Sequence, residues 1–195
     1  MLRTVFKSQT AFACLLIIYT AWIVSVFFRN LNGFDDFDVF FNSGKRLLNH
    51  ENIYGEPYLN QLRYFYSPSF ALLMSALQCI GIFYSKLIWY LINYFALMRM
   101  IFILKKYVFK HSEKPVLTMF ILLFISGKLT LFNFLSNQMT IVLIWIILES
   151  FDLINKGKSG KAMVLMAIGF NIKIIPLFAL PWLIIISKKP LKSIF

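Results

Sequence analysis

Apolar runs of about 18 residues recur along this chain, separated by short segments that carry most of its charge. A helix of about 18 residues is about 27 Å long, close to the hydrocarbon thickness of a bilayer. The pattern therefore predicts an all-α, polytopic membrane protein with one transmembrane domain over 1–195. The predicted spans are 12–28, 68–84, 87–104, 115–126 and 139–153, followed by a broken span or hairpin over 162–187.

Two breaks in the apolar pattern shape this arrangement. Only Ser85 and Lys86 separate the second run from the third, so we expect a tight turn there and a helical hairpin. Pro176 interrupts the last run, and proline lacks a backbone N–H and disfavours helix in the residue before it. Broken helices occur at membrane depth only where they line an enclosed or watery cavity, so we expect Lys173 to face such a cavity.

The segment before the second run has a different periodicity. Its apolar residues recur every three or four positions, which predicts a helix over 36–49 with one apolar face. This pattern favours an interfacial helix that lies along the outer membrane surface. The apolar face holds Phe37, Phe40, Phe41, Gly44, Leu47 and Leu48, and the polar face holds Asp38, Asn42, Ser43, Lys45 and Arg46.

Composition and charge support a membrane protein and indicate its orientation. Hydrophobic residues make up 59% of the 195 positions and charged residues only 14%, while the net charge is +12. Short loops rich in Lys and Arg stay on the cytoplasmic side. The basic segments 105–114 and 155–161 are therefore expected inside, with the N-terminus inside and the loop 29–67 outside. Since the basic residues are divided among short loops, nucleic-acid binding is not expected.

Three aspartates at positions 35, 36 and 38 mark the start of the predicted interfacial helix. Aspartate is a preferred N-cap, and its charge complements a helix N-terminus, which accounts for one of them. Acids held beside a membrane have raised pKa values when buried, which suits one of them to act as a base. Cap and catalytic carboxylate both remain open for Asp35 and Asp36, and a divalent metal is possible but not indicated.

Four segments in order resemble glycosyltransferase family 87, namely DFDVFFNSGKRLLNHENIY, YFYSPSFALLM, SNQMT and GFNIKIIPLFALP. The resemblance covers about 36–181, and because family members are usually longer, the chain resembles an N-terminal half or a short member. It implies a GT-C membrane fold in a bacterial cytoplasmic membrane. It also implies inverting transfer of mannose or another hexose from a polyprenyl-phosphate donor to an extracytoplasmic glycolipid or glycan, without a cofactor.

The resemblance also implies roles for individual residues. Asp36 matches the family's general base, and Lys173 matches its lysine three residues before a proline. Two departures stand out: Phe40 and Phe41 occupy positions where tyrosine is common, and Asn137 replaces the glycine of a Gly-Gln pair. The implied residues for donor phosphate or sugar are Lys173, Arg63, Tyr66, Gln138 and Asp38, and no metal ligand is implied.

Each of these roles has an alternative that the sequence leaves open. Lys173 could extend its ammonium to the headgroups, and Tyr66 could belong to the interfacial aromatic belt. The whole chain could instead be a non-catalytic or truncated membrane scaffold. A small-solute transporter is a third reading, for which the candidate acids within the spans are Glu149 and Asp152.

Overall fold

The computed structural model describes residues 2–30, 35–55, 57–58, 62–108 and 112–186. Within these ranges the regular structure is helical, and the predicted all-α fold is confirmed. The α-helices are α1 (Leu2–Asn30), α2 (Asp36–Leu48), α3 (Pro68–Ser75), α4 (Gly81–Tyr107), α5 (Pro115–Leu135), α6 (Thr140–Asn155), α7 (Ser159–Ile172) and α8 (Leu180–Ile186). Short 3₁₀ segments, Ala76–Ile80 and Ile175–Ala179, precede α4 and α8.

Three stretches of helix are long and apolar enough to cross a membrane: Thr10–Arg29, Pro68–Tyr107 and Pro115–Leu135. The helix α6 and the pair of α7 and α8 are also apolar but shorter. Few of the described side chains of α1 and α5 are buried, as expected for helices surrounded by lipid rather than by protein. The chain is therefore a helical membrane protein.

The helices α1 and α4 run antiparallel. The Tyr90 hydroxyl donates to the Ile23 carbonyl over 2.6 Å, and the Lys105 ammonium lies 4.0 Å from the centre of the Phe12 ring. The start of α1 therefore lies beside the end of α4. We call the end of the bundle that carries α2 the α2 end, and the opposite end, with Lys105 and Lys156, the basic end.

The predicted turn at Ser85 and Lys86 is wrong, because both residues are buried inside α4. The chain turns instead at Gly81, whose φ of 78° lies in the left-handed region that favours glycine. Ser85 then donates to the carbonyls of Gly81 and Leu77. A charged residue between two apolar runs looks like a loop in the sequence, but here its charge is paired within the protein.

This correction also makes the topology self-consistent. Three crossings before 105–114 would put that segment and the N-terminus on opposite sides of the membrane. In the structure 68–107 contains one long helix after a short one, so α1 and α4 together return the chain to its starting side. Both basic segments and the start of α1 then belong to one end of the bundle.

The helix α2, for which the sequence predicts an interfacial position, begins at Asp36, as predicted, but packs against protein on more than its apolar face. Phe37, Phe40 and Gly44 are buried as expected, and Asp38 and Ser43 of the predicted polar face are buried as well. At Gly44 an added Cβ would lie 2.6 Å from the Ser75 backbone nitrogen, so the backbones of α2 and α3 are in direct contact. The helix is thus held by α3 and α4 rather than lying freely on lipid.

The last helices are interrupted between Ile172 and Leu180. Lys173 is extended, with φ −151° and ψ 144°, and ends α7. Pro176 is the buried residue of the 3₁₀ segment. It packs near Gly169, where an added Cβ would lie 3.1 Å from the proline ring. Residue 187, the end of the predicted span 162–187, lies outside the described residues.

Ion pairs join α4 to α6 at the basic end. Arg99 donates from Nε and Nη2 to the two Glu149 oxygens over 2.7 and 2.9 Å. The buried Asp152 carboxylate accepts from Arg99 over 3.2 Å, from Lys106 over 2.9 Å and from Lys156. Both acids that a transporter would use are therefore engaged in ion pairs that hold two helices together.

The charge asymmetry predicts which side of the membrane each end faces. In a chain without Cys14 and Cys79, a cysteine introduced at Asn49 should react with a membrane-impermeant thiol reagent in intact cells, whereas one at Asn155 should not. The reason is that short basic loops are retained in the cytoplasm. Lysed cells provide the control, since both positions should then react. Labelling of position 155 alone in intact cells would reverse the orientation.

Candidate active site

The N-terminus of α2 is built by a reciprocal cap. Asp35 Oδ1 accepts from the Phe37 amide over 3.0 Å, and Asp38 Oδ2 accepts from the Asp35 amide over 2.8 Å. Each carboxylate thus satisfies a backbone donor that the first turn leaves unpaired, and both favour the positive end of the helix dipole. The aspartates at 35 and 38 therefore start the helix.

Lys86 of α4 neutralises the same two carboxylates. Its ammonium lies 3.1 Å from Asp35 Oδ2 and 3.1 Å from Asp38 Oδ2, and all three side chains are at most 8% exposed. Burial raises the pKa of Asp35, and the Asn137 amide and Lys86 oppose this rise. A buried charge is costly unless it is paired, so the trio fixes α2 on α4.

The turn between α5 and α6 closes over the start of α2. The Asp36 amide donates to the Ser136 carbonyl over 3.1 Å, and the Asn137 side chain donates to Asp35 Oδ2 over 2.7 Å. Trp89 of α4 donates from its indole to the Asn137 carbonyl over 2.9 Å. These bonds place Gln138, the next residue, beside Asp36.

Asn137 explains one departure from the resembled family. Its φ of 48° is left-handed, a conformation that glycine adopts freely and that asparagine tolerates better than most residues. The turn therefore keeps the backbone that a glycine would supply, and the asparagine adds a side-chain bond to Asp35. The backbone at Gln138 is correspondingly well defined, since its amide donates to the Asn133 carbonyl over 2.9 Å.

Asp36 differs from its two neighbours in its partners. Burial raises its pKa above the ordinary aspartate value, while a hydrogen bond from the Gln138 side chain and the positive charge of Lys173 oppose the rise. Asp36 is half-buried, whereas Asp35 and Asp38 are buried. It is the carboxylate of the three that combines partial access with a raised pKa.

Tyr66 and Lys173 form a wall beside Asp36. The Lys173 ammonium lies 4.9 Å from the centre of the Tyr66 ring, within the range of a cation–π contact. Burial, and then the negative charge of Asp36, raises the pKa of Tyr66 to about 12. The ring of Phe40 packs against Tyr66 at 4.7 Å between centroids, so this phenylalanine supports the wall without a hydroxyl.

Ser67 fastens this wall to the end of α7. Its hydroxyl caps α3 by accepting from the Phe70 amide and also donates to the Asn171 carbonyl. The Ser67 amide donates to the Ile172 carbonyl over 3.5 Å. The loop that carries Tyr66 is thereby tied to the helix end that carries Lys173.

The structure brings together four of the six residues implied by the resemblance: Asp36, Tyr66, Gln138 and Lys173. The fifth, Asp38, lies in the cap and the ion pair with Lys86 instead. Arg63 is exposed, and no ion pair to it occurs among the described residues. The described part of the chain includes no group of three His, Cys, Asp or Glu side chains that could hold a metal ion.

Sequence reasoning missed Lys86 and Asn137, the two residues that hold the aspartates in place. The signal for Lys86 was available, because a lysine close to an apolar run of this length needs an anionic partner. The partner, however, lies 48 positions away, and no local pattern connects α4 with the start of α2.

An apolar cavity of about 310 Å³ lies between α4, α5 and α6. Leu104 and Met119 line it toward the basic end, and Asn133, Gln138 and Thr140 line it toward the α2 end. Gln138 therefore belongs both to this cavity and to the surroundings of Asp36. A hydrocarbon chain in this cavity would end beside Gln138 and Asp36.

The family model described as glycosyltransferase family 87 matches residues 64–194. The matched range contains Tyr66, Gln138 and Lys173 and begins after Asp36. No curated protein and no solved structure gives a significant match.

Lys86, Asp35 and Asp38 form a buried group of charges, so removal of the lysine charge should cause a large loss of stability. Lys86→Met keeps the apolar stem but leaves two buried carboxylates without their cation, which should cost about 3–5 kcal/mol. Thermal unfolding of the purified protein in detergent would measure the change. Lys161→Met, at an exposed position of α7, is the matched control and should change stability by less than about 0.5 kcal/mol. Equal melting temperatures for the two variants would contradict the assignment.

Proposed function

The chain belongs to glycosyltransferase family 87 and is a membrane glycosyltransferase, and we propose that Asp36 is the general base of its transfer reaction. In this proposal a hexose, mannose in the first instance, passes from a polyprenyl-phosphate donor to a hydroxyl of a glycolipid or glycan. The transfer inverts the anomeric centre. The fold is of the GT-C type, and the site faces the extracytoplasmic side of a bacterial cytoplasmic membrane.

The observation that carries the proposal is the separation of roles among the three aspartates. Asp35 and Asp38 are occupied by the helix cap and by Lys86, whereas Asp36 interacts with Gln138 and Lys173. A half-buried carboxylate with a raised pKa is a stronger base than an ordinary aspartate. Asp36 therefore suits proton removal from an alcohol.

In the proposed reaction, one bond forms and one bond breaks at the anomeric carbon of the sugar. The acceptor oxygen forms a bond to the anomeric carbon while its proton passes to the Asp36 carboxylate. The bond from that carbon to the phosphate oxygen breaks, and its electron pair stays on the phosphate. Lys173 supplies a positive charge where this negative charge develops, which is the electrostatic form of catalysis that preorganised cations provide.

The remaining residues of the group have supporting roles in the proposal. Gln138 orients the Asp36 carboxylate by its hydrogen bond. Tyr66 presents a ring beside Lys173 on which a sugar face can stack. Asp38 contributes indirectly, through the cap that fixes the start of α2, and Arg63 is a second cation for the phosphate once a donor is bound.

Two observations favour a lipid-linked substrate over a soluble one. The apolar cavity between α4, α5 and α6 has Gln138 at its α2 end, and a helical membrane protein offers a tail direct entry from lipid. The rival transporter reading has less support, because Glu149 and Asp152 are engaged in ion pairs with Arg99, Lys106 and Lys156. Formation of a glycosidic product from a labelled polyprenyl phosphosugar distinguishes an enzyme from a transporter and from a scaffold.

The role of Asp36 predicts different outcomes for two neighbouring substitutions. Asp36→Asn keeps the size of the side chain and its hydrogen bonding but cannot accept the proton, so the transfer rate should fall about 10²-fold or more. The rate of the unchanged protein should also fall as pH is lowered through the raised pKa of Asp36, because only the carboxylate is a base. Transfer from the labelled donor in purified membranes measures both.

Asp35→Asn is the matched control, since asparagine caps a helix about as well as aspartate. It should retain most of the activity, with any loss traceable to lower stability. Small and equal effects of the two substitutions would remove Asp36 as the base. Loss of activity in both variants with donor binding intact would instead indicate a site that the two carboxylates share.

Lys173 is expected to act on the donor rather than on stability. Lys173→Met removes the charge and keeps the stem, so donor affinity should weaken about tenfold or more, the scale of a charge-assisted hydrogen bond worth roughly 1.5–3 kcal/mol. Binding of a polyprenyl phosphate to the purified protein measures the effect, with Lys161→Met as the control. Unchanged affinity would mean that the Lys173 ammonium lies among the headgroups instead.

A further inference from the structure

Lys128 is a further cation within the apolar part of the chain, and it lies outside the proposed active site. It lies within α5, about 10 Å before the α2 end of that helix at Leu135, at 1.5 Å rise per residue. Its side chain is exposed, and no acidic residue pairs with it in the described part of the chain. The proposed transfer reaction assigns it no role.

A lysine at this depth needs an anion or a route to water. Charged side chains within a span are costly and mark functional sites by default, and a long lysine reduces the cost by extending toward the headgroups. An ammonium that extends from Lys128 toward the α2 end approaches the phosphate groups of the lipid, which are the abundant anions of a membrane surface.

Lys128 also lies on the wall of a cavity between α1 and α5, with a volume of about 520 Å³. It is the charged residue of a lining that is otherwise aromatic or aliphatic apart from one glycine. Neighbouring side chains on both helices are exposed, with Ile18 at 66% and Phe124 at 77%. The cavity therefore opens to the bilayer and not to the interior of the bundle.

Leu15 and Phe120 line the cavity on the side of the basic end and supply aliphatic and aromatic surface. Lys128 shares the lining with Tyr19 and Trp22, whose rings pack at 5.4 Å between centroids. A phospholipid fits this arrangement when its phosphate meets Lys128 and its chains run toward the basic end.

We propose that the cavity between α1 and α5 binds one anionic phospholipid, with its phosphate on Lys128 and an acyl chain along Leu15 and Phe120. Charge complementarity favours an anionic headgroup, because a zwitterionic lipid brings its own cation to the same place. The lipid would fill the cavity between two helices of which few described side chains are buried. The proposal concerns a different surface from Asp36 and does not depend on the transfer reaction.

Quenching of tryptophan fluorescence by brominated lipids tests this directly. The protein is placed in nanodiscs that contain brominated phosphatidylglycerol or brominated phosphatidylcholine at equal fractions. Trp22 lines the cavity, so the quenching lost in Trp22→Phe reports occupancy of this site. We expect phosphatidylglycerol to be preferred about fivefold, the scale of one lysine near an anionic membrane surface.

Variants of Lys128 identify the source of the preference. Lys128→Met should abolish it, Lys128→Arg should keep it, and Lys161→Met, a control at the basic end, should leave it unchanged. Equal quenching by the two lipids in the unchanged protein would overturn the proposal without any variant. A preference that persists in Lys128→Met would overturn it as well, since the anion would then be bound elsewhere.

Discussion

The buried ion pair of Lys86 with Asp35 and Asp38 is the constraint on which the site depends. Two carboxylates and one ammonium are removed from water; the ammonium is stabilised by both carboxylates, and each carboxylate by the ammonium and a backbone donor. Such pairs contribute more to a unique arrangement than to net stability. Here the arrangement sets both the position of α2 along α4 and its rotation, because Asp35 and Asp38 lie on one side of the first turn.

That rotation determines what Asp36 can do. Successive helical residues are about 100° apart, so residues three positions apart share a side while the two residues between them face elsewhere. With Asp35 and Asp38 directed to Lys86, Asp36 meets Gln138 from the α5–α6 turn and the charge of Lys173 from the end of α7. Of the three aspartates, Asp35 is thus the helix cap and Asp38 is its partner, whereas Asp36 takes part in neither the cap nor the ion pair.

Local periodicity predicted the helical class and the start of α2, and it failed where distant residues decide the structure. The start of α2 at Asp36 follows from the spacing of Phe37, Phe40 and Phe41. The buried position of Lys86 inside α4 does not, because its partners Asp38 and Asp35 lie 48 and 51 positions away. The grouping of Tyr66, Gln138 and Lys173 likewise depends on tertiary contacts, and only the resemblance of ordered segments pointed to it. No spacing rule indicated the left-handed backbone at Asn137.

The ion pairs at the two ends of α4 have a mechanical consequence. Lys86 fixes one part of this helix to α2, and Arg99 and Lys106 fix it to α6 at about 20 and 30 Å along the axis from Lys86. A shift of α4 by a single residue would break both sets of contacts at once. The helix is therefore held against sliding, in contrast to the segment from Lys173 to Leu180, where the backbone is interrupted.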